Sequence, residues 1–361
     1  MAHSAIGRLL RCQTPSTIRR STNNLTQKRS WSTAAIPSWA ATPSPELDRA
    51  LFRFRDELFI PHALNPEQRK LIYKPKYANK LKENPITVSV GPNDESYHLR
   101  PLNKHNLPSK KDARAVISLM HKTGNWSNLV PFLTGLRESG FRFEPQHKEW
   151  LVRKALSSNG LGYLSECFKQ PHKTGLNLKD ASLVQQLFFG LHVLAERNKF
   201  EGPGFEKVHR LARIFTRLME APEHVVHDLA NDPKRKLSVI GVLLELSAAR
   251  AVDLGGKDDN GEVLAYARRL LAGWRLQRSE IEWGDWVALD HRLQAIVPIY
   301  NGMKLALQVN EVASDITISQ TLETQLKELG ILIAEIKIMA PKRVQRKATI
   351  GYAQARRLHQ N

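Results

Sequence analysis

The chain has 361 residues, with 54 Lys plus Arg against 35 Asp plus Glu, a formal charge of +19, 42% apolar residues and two Cys. A disulfide-stapled secreted scaffold needs more cysteines, and a disordered chain does not carry this much apolar content. The length allows two or three units that could each bury a core.

Residues 1–45 hold Arg8, Arg11, Arg19, Arg20, Lys28 and Arg29, many Ser and Thr, and no acid before Glu46. This is the composition of a mitochondrial transit peptide, and no uninterrupted apolar stretch follows the early charges as a secretory signal would require. In Lys28-Arg29-Ser30-Trp31-Ser32 the arginine stands at the matrix-processing spacing for a cut after Trp31. Residues 1–31 are therefore read as the transit peptide, and the mitochondrial matrix as the destination. Their removal takes six of the nineteen net positive charges and leaves +13, so the body is basic as well. No membrane span is expected. The apolar stretch Leu237 to Val252 contains Glu245 and Arg250, and Leu329 to Met339 carries Glu335 and Lys337, whereas a span needs roughly 20 mostly apolar residues.

Residues 32–108 read as a Pro-rich basic arm. Within it, Leu47, Leu51, Phe54 and Leu58 recur at helical spacing over Glu46 to Phe59. Ile86 to Val90, the turn Gly91-Pro92-Asn93-Asp94 and Tyr97 to Arg100 then read as a short β-hairpin. Two strands alone are marginal in water. The arm is expected to lie on something larger, either the helical body or a partner.

From Ser109 onward the pattern is helical. Ser109 and Asp112 have the capping-box form. Ala115, Val116, Leu119 and Met120 follow on one face, Gly124-Asn125 ends the helix, and Trp126, Leu129, Val130, Leu133 and Leu136 form the next face. The turn Ser139-Gly140-Phe141-Arg142-Phe143 is echoed by Thr174-Gly175-Leu176-Asn177-Leu178, with the glycines 35 residues apart, the period of a stacked helix pair. Between them Pro145 opens a helix with Trp150, Leu151, Lys154 and Ala155. Asn159-Gly160 breaks it before Leu161, Leu164 and Phe168, and a third unit begins at Asp180. The period and the phrase Leu136 to Pro145 resemble the junction of two pentatricopeptide repeats, over about residues 109–215. The resemblance implies RNA binding in which paired side chains on successive repeats read bases. These units are too few and irregular to assign such positions.

Further on, Phe205, Val208, Leu211, Ala212, Phe215, Leu218 and Met219 form an apolar stripe, and Lys207, Arg210, Arg213 and Arg217 follow at spacings of 3, 3 and 4. An apolar helix over 235–252, a polar loop over 255–261 and a helix bearing Tyr266, Leu270, Leu271 and Trp274 come next. Ser279 with Glu282 repeats the capping-box form before Trp283, Trp286, Leu289 and Leu293. Leu322, Leu326, Leu329, Ile333, Ile336 and Ala340 make a seam of about two and a half heptads, too short for a convincing coiled coil, and are read as packing within the chain. After Glu335 the tail carries Lys337, Lys342, Arg343, Arg346, Lys347, Arg356 and Arg357 and no acid. Such a run on a basic body is suited to neutralising phosphates.

Catalytic motifs are absent from the sequence. His224 and His227 lack the spacing and internal glutamate of the two-histidine zinc motif and read as a surface or interface pair. Gly255-Gly256-Lys257 has Ala251 where a phosphate loop needs its first glycine and Asp258 where it needs Ser or Thr. Gly202-Pro203-Gly204 follows no strand, as a dinucleotide motif would. Cys167, in an apolar helix, reads as a packed small hydrophobe, and the tryptophans read as core anchors.

The expectation is an all-α protein: a helical-hairpin, pentatricopeptide-like solenoid with a small N-terminal β-hairpin arm and a basic C-terminal helix and tail. Residues 109–310 are the helical-repeat body, and 311–361 the C-terminal helix and tail. The layout resembles lineage-specific mitochondrial ribosomal proteins of fungi. That resemblance implies a non-catalytic structural component that binds mitochondrial rRNA and ribosomal proteins, with no cofactor and no small-molecule substrate. The large subunit is weakly preferred. A pentatricopeptide-like RNA processing or translation factor and a respiratory-complex assembly factor are the alternatives. Expected RNA contacts are Lys207, Arg210, Arg213, Arg217, Lys342, Arg343, Arg346, Lys347, Arg356 and Arg357.

Overall fold

Ser44 starts the first helix among the described residues, α1 (Pro45–Phe54), by accepting a hydrogen bond from Leu47 N, and Leu47, Leu51 and Phe54 are buried along one face. The computed structural model describes residues 36–91, 95–258, 260–276 and 285–359. The transit peptide, the hairpin tip at 92–94, the Ser279/Glu282 cap and Trp283 lie outside the described residues. Helix α1 runs directly into a π-helical turn, Arg55–Phe59, and then α2 (Ile60–Ala63). That wider turn changes which side chain faces inward. Five residues apart in an α-helix, Phe54 and Phe59 would diverge; across the π turn both meet Phe132, at ring distances of 5.1 and 6.3 Å. Phe59 therefore takes the core place that simple helical spacing gives to Leu58, which is half-buried.

Helices α3 (Pro66–Tyr73) and α4 (Ala78–Glu83) cover the antiparallel pair β1 (Thr87–Val90) and β2 (Glu95–His98), in which Thr87 faces His98. Ile60, Leu64, Ile72, Leu81, Val90, Tyr97 and Leu99 close a small core there. Burial against α2 to α4 supplies the apolar cover that two strands lack on their own.

The body is a two-layer stack of helix pairs. Its helices are α5 (Lys110–Thr123), α6 (Leu129–Glu138), α7 (Pro145–Ser157), α8 (Leu161–Lys169), the short α9 (Pro171–Thr174), α10 (Ala181–Arg197), α11 (Gly202–Leu218), α12 (Leu237–Asp253), α13 (Glu262–Leu276) and α14 (Trp286–Ala306). The leading helices α5, α7, α10, α12 and α14 pack on one another in that order, while α6, α8 and α11 form the accompanying layer. This succession is the expected helical-hairpin solenoid. Gly140 and Gly175, the echoed turn glycines, share a left-handed backbone at φ 81° and 75°, so the sequence echo is a repeated turn conformation that favours glycine. Helix α1 packs on α5, and the π turn on α6, closing one end of the stack.

Beyond α14 come α15 (Asn310–Ser314), α16 (Ile316–Ile338), α17 (Lys342–Arg346) and α18 (Ile350–Leu358). Leu322, Leu329, Ile333, Ile336 and Ala340 are buried in a core shared with α13 and α14. The apolar seam is spent within the chain.

Helix α12 joins two cores. Val239, Val242, Leu243 and Leu246 belong to the core of α5 to α11, whereas Ile240, Leu244, Ala248 and Ala251 belong to that of α13 to α18. Its crossing with α14 is close: a Cβ on Gly302 would stand 2.9 Å from Glu245 N and 3.0 Å from Gly241 O, and one on Gly241 would stand 3.0 Å from Ile299 Cα. Only glycine allows these backbones to touch. Beside this contact lies Glu245, with no solvent exposure. Its Oε2 lies 2.6 Å from His192 Nδ1 on α10, and its Oε1 accepts a 2.7 Å hydrogen bond from Asn301 Nδ2 on α14. Burial raises its pKa, against the opposing pull of His192 and Asn301. A buried carboxylate stripped of a partner is costly, while its replacement by an apolar side chain of similar size need not be. His192→Leu is expected to cost about 3–5 kcal/mol in urea unfolding. Adding Glu245→Leu should restore part of this, the remainder reflecting Asn301 left one partner short. A double variant as unstable as the sum of the two single variants would contradict the coupling.

Candidate nucleic-acid interface

Helix α11 is divided between an apolar and a cationic side. Phe205, Val208, Leu211, Ala212 and Phe215 are buried, and Lys207, Arg210 and Arg217 are exposed. The fourth expected cation is engaged: Arg213 Nη2 lies 3.1 Å from Glu262 Oε1 on α13. Near this helix Arg250 on α12 pairs with Glu206 at 3.1 Å.

The C-terminal residues fold back onto the body. Asp290 on α14 accepts hydrogen bonds from Thr349 Oγ1 at 2.5 Å and Tyr352 N at 3.0 Å, and Trp286 Nε1 donates to Thr349 Oγ1 at 3.3 Å. Tyr352 and Ala355 are buried with α14 and α16, and Lys337 Nζ donates to His359 O at 2.9 Å. Arg357 grips Glu196 at the end of α10, from Nε at 2.5 Å and Nη2 at 3.0 Å. That bidentate bond raises the Arg357 pKa. Burial pushes Glu196 up, but the bonds from Arg357 and Gln354 more than offset it and leave its pKa lowered.

The ten cations thus fall into two kinds. Arg213 and Arg357 hold helices together. Lys207, Arg210, Arg217, Lys342, Arg343, Arg346, Lys347 and Arg356 are exposed and make no ion pair among the described residues. The structure carries the α11 set beside α8, α10 and α12, and the tail set on elements packed against α14, α16 and the end of α10. Helix α17 presents Lys342, Arg343 and Arg346 outward while Val344 points into the core. A free guanidinium or ammonium at the surface can meet a phosphate without first breaking an internal pair.

Other sequence candidates are structural. Residues 220–227 lie in turns, bends and irregular chain outside any helix, so the His224 and His227 pair does not share a helix face. His224 is buried, its Nδ1 accepting from Leu178 N at 3.0 Å and its Nε2 lying 2.9 Å from Phe168 O, which ties the second repeat turn to α8. Among the described residues no three His, Cys, Asp or Glu side chains cluster to hold a metal. Burial pushes the Cys167 thiol pKa up, so it is not a ready nucleophile. Asp258 in the glycine loop caps α13, its Oδ2 accepting from Val263 N and Leu264 N at 2.9 and 3.1 Å. Trp126 is 1% exposed and donates to Ser158 O at 3.0 Å, a core anchor.

His209, buried on α11, has its pKa lowered to about 4 from 6.5, first by burial and then by Arg250 and Arg213, with Glu206 opposing. The folded chain thus holds this imidazole neutral. The stability gained is present above about pH 6.5 and is lost as pH falls through about 4. Urea unfolding at pH 7 and pH 4 is expected to show the parent chain losing about 3 kcal/mol more than His209→Leu. Equal losses would mean that this side chain does not couple folding to pH.

A family profile described as "Mitochondrial ribosomal protein mS27" matches residues 23–357. A protein of Neurospora crassa named "Small ribosomal subunit protein mS27" is 25% identical over 271 residues, covering 69% of this chain and 68% of its own length. The relative's name overturns the preference for the large subunit; composition and helical layout are blind to which subunit a basic scaffold serves. With a match running over almost the whole described body, both cores and the C-terminal helices included, the chain belongs to the mitochondrial ribosomal protein mS27 family.

Proposed function

We propose that this chain is a non-catalytic structural component of the small subunit of the mitochondrial ribosome, in the matrix, binding rRNA and neighbouring ribosomal proteins. Family membership supports the ribosomal role, and the small-subunit name of the Neurospora relative supports the choice of subunit. The RNA contact rests on one observation: eight exposed cations on α11, α17, α18 and the residue after α17 have no acidic partner among the described residues. Lys207, Arg210 and Arg217 would meet one stretch of phosphates, and Lys342, Arg343, Arg346, Lys347 and Arg356 another. The stacked helices supply a stiff support, so those charges reach the RNA without the cost of ordering a loose tail. No observation favours a free RNA processing factor or a respiratory-complex assembly factor over this reading.

Replacing Lys342, Arg343, Arg346 and Lys347 with Ala should weaken binding to small-subunit rRNA. It should also flatten the slope of log affinity against log salt by about 0.7 to 0.9 per lost phosphate contact. Arg213→Ala, whose guanidinium serves Glu262, should leave the slope unchanged. An unaltered slope in the fourfold variant, or sedimentation of the chain with large subunits, would refute the assignment.

A further inference from the structure

Between α7, α10 and α18 runs a cleft of about 810 Å³ that the rRNA contacts do not use. Leu156, Phe189, Val193, Phe200, Ile350 and Ala353 supply its apolar lining. Ile350 stands at the edge, 59% exposed. Arg153, Arg197 and Lys199 lie along the margin. The one acid in the lining, Glu196, is already taken by Arg357 and Gln354. Arg153 reaches only Glu149, at 4.0 Å, and Arg197 and Lys199 make no ion pair among the described residues.

The margin is built at a conformational cost. Lys199 and Phe200 follow one another in the left-handed region, at φ 56° and 59°. For non-glycine residues this is unfavourable, and such positions collect at binding sites. The turn turns Phe200 back against His192 and Phe205, at ring distances of 6.4 and 6.2 Å, and leaves Lys199 at the mouth.

We propose that this cleft receives an amphipathic helical segment of a neighbouring small-subunit protein, its apolar face against α10 and α18 and its acidic flanks against Arg153, Arg197 and Lys199. Charge complementarity commits the choice of partner: the margin offers cations in surplus over a single acid that is already bonded. The lining decides for protein over RNA. Base recognition in single strands relies on aromatic faces, and here Phe189 and Phe200 both pack against His192, tilted, with ring centroids 5.9 and 6.4 Å away. The remaining surface is aliphatic, as in grooves that take helix side chains at i, i+3, i+4 and i+7.

The inference rests on the ribosomal reading, and its test separates the two. Ile350→Cys places a thiol at the edge, Cys12→Ser removes the second cysteine of the sequence, and Cys167 is buried and spared. The full chain, labelled there with a thiol-reactive benzophenone, is added to small subunits lacking it, and its entry is read by sedimentation before irradiation. The expected product is a cross-link to a protein peptide with apolar residues at helical spacing flanked by Asp or Glu. Its yield should fall about tenfold when Arg197→Glu and Lys199→Glu are added, with entry into the subunit retained. A cross-link to rRNA, to this chain itself or to a peptide without acidic flanks would overturn the proposal. So would no cross-link after entry, or a yield indifferent to charge reversal. Failure to enter the subunit would instead remove the ribosomal reading and the cleft's occupant with it.

Discussion

A single helix with almost no surface of its own, α12, governs this molecule. Residues Val239 to Ala249 are buried without interruption, and alternate sides of the helix belong to different cores. A helix apolar all round is stable only when enclosed. Here α10 closes one side and α14 the other, with Gly241 and Gly302 bringing backbones into contact. Glu245 adds direction to a packing that apolar contact alone leaves free to slide: its carboxylate is met by one side chain from each neighbouring helix.

That rigidity has consequences for charge. A basic surface on a flexible chain would pay for ordering when it met a polyanion, whereas here the cations are held by packed elements. The tail shows how. Asp290 receives two bonds from the start of α18, and Glu196 receives Arg357 at its other end. Two of the cations that read alike in the sequence are consumed in holding the scaffold, and the others make no ion pair among the described residues.

Local features of the fold were readable from the chain. The Ser109 and Asp112 capping box, the break at Asn159, the start of a new unit at Asp180, the twin glycine turns and the apolar seam of α16 each follow from neighbouring residues, and each is present. The inward face after α1 was not readable, because a π turn changes the helical period without marking the composition. Nor was the division of the cations. Arg357 and its acid are 161 positions apart, and Tyr352 and Asp290 are 62 apart, distances at which spacing carries no information. Glu245 stood out only as an acid that spoiled a membrane span; that it is a junction between helices depends on His192 and Asn301, 53 and 56 positions away. The subunit was beyond the reach of any such pattern, and its proposal draws on the name of a relative.

Helix α12 makes of two cores one cooperative body on which the surface charges are fixed. Native-state hydrogen exchange measures this directly, since amides of one cooperative unit open together. The slowest amides of α10 and α11 and those of α14 and α16 are expected to share one opening free energy and to respond identically to added denaturant. Two distinct opening free energies, with one core exchanging while the other stays protected, would contradict it.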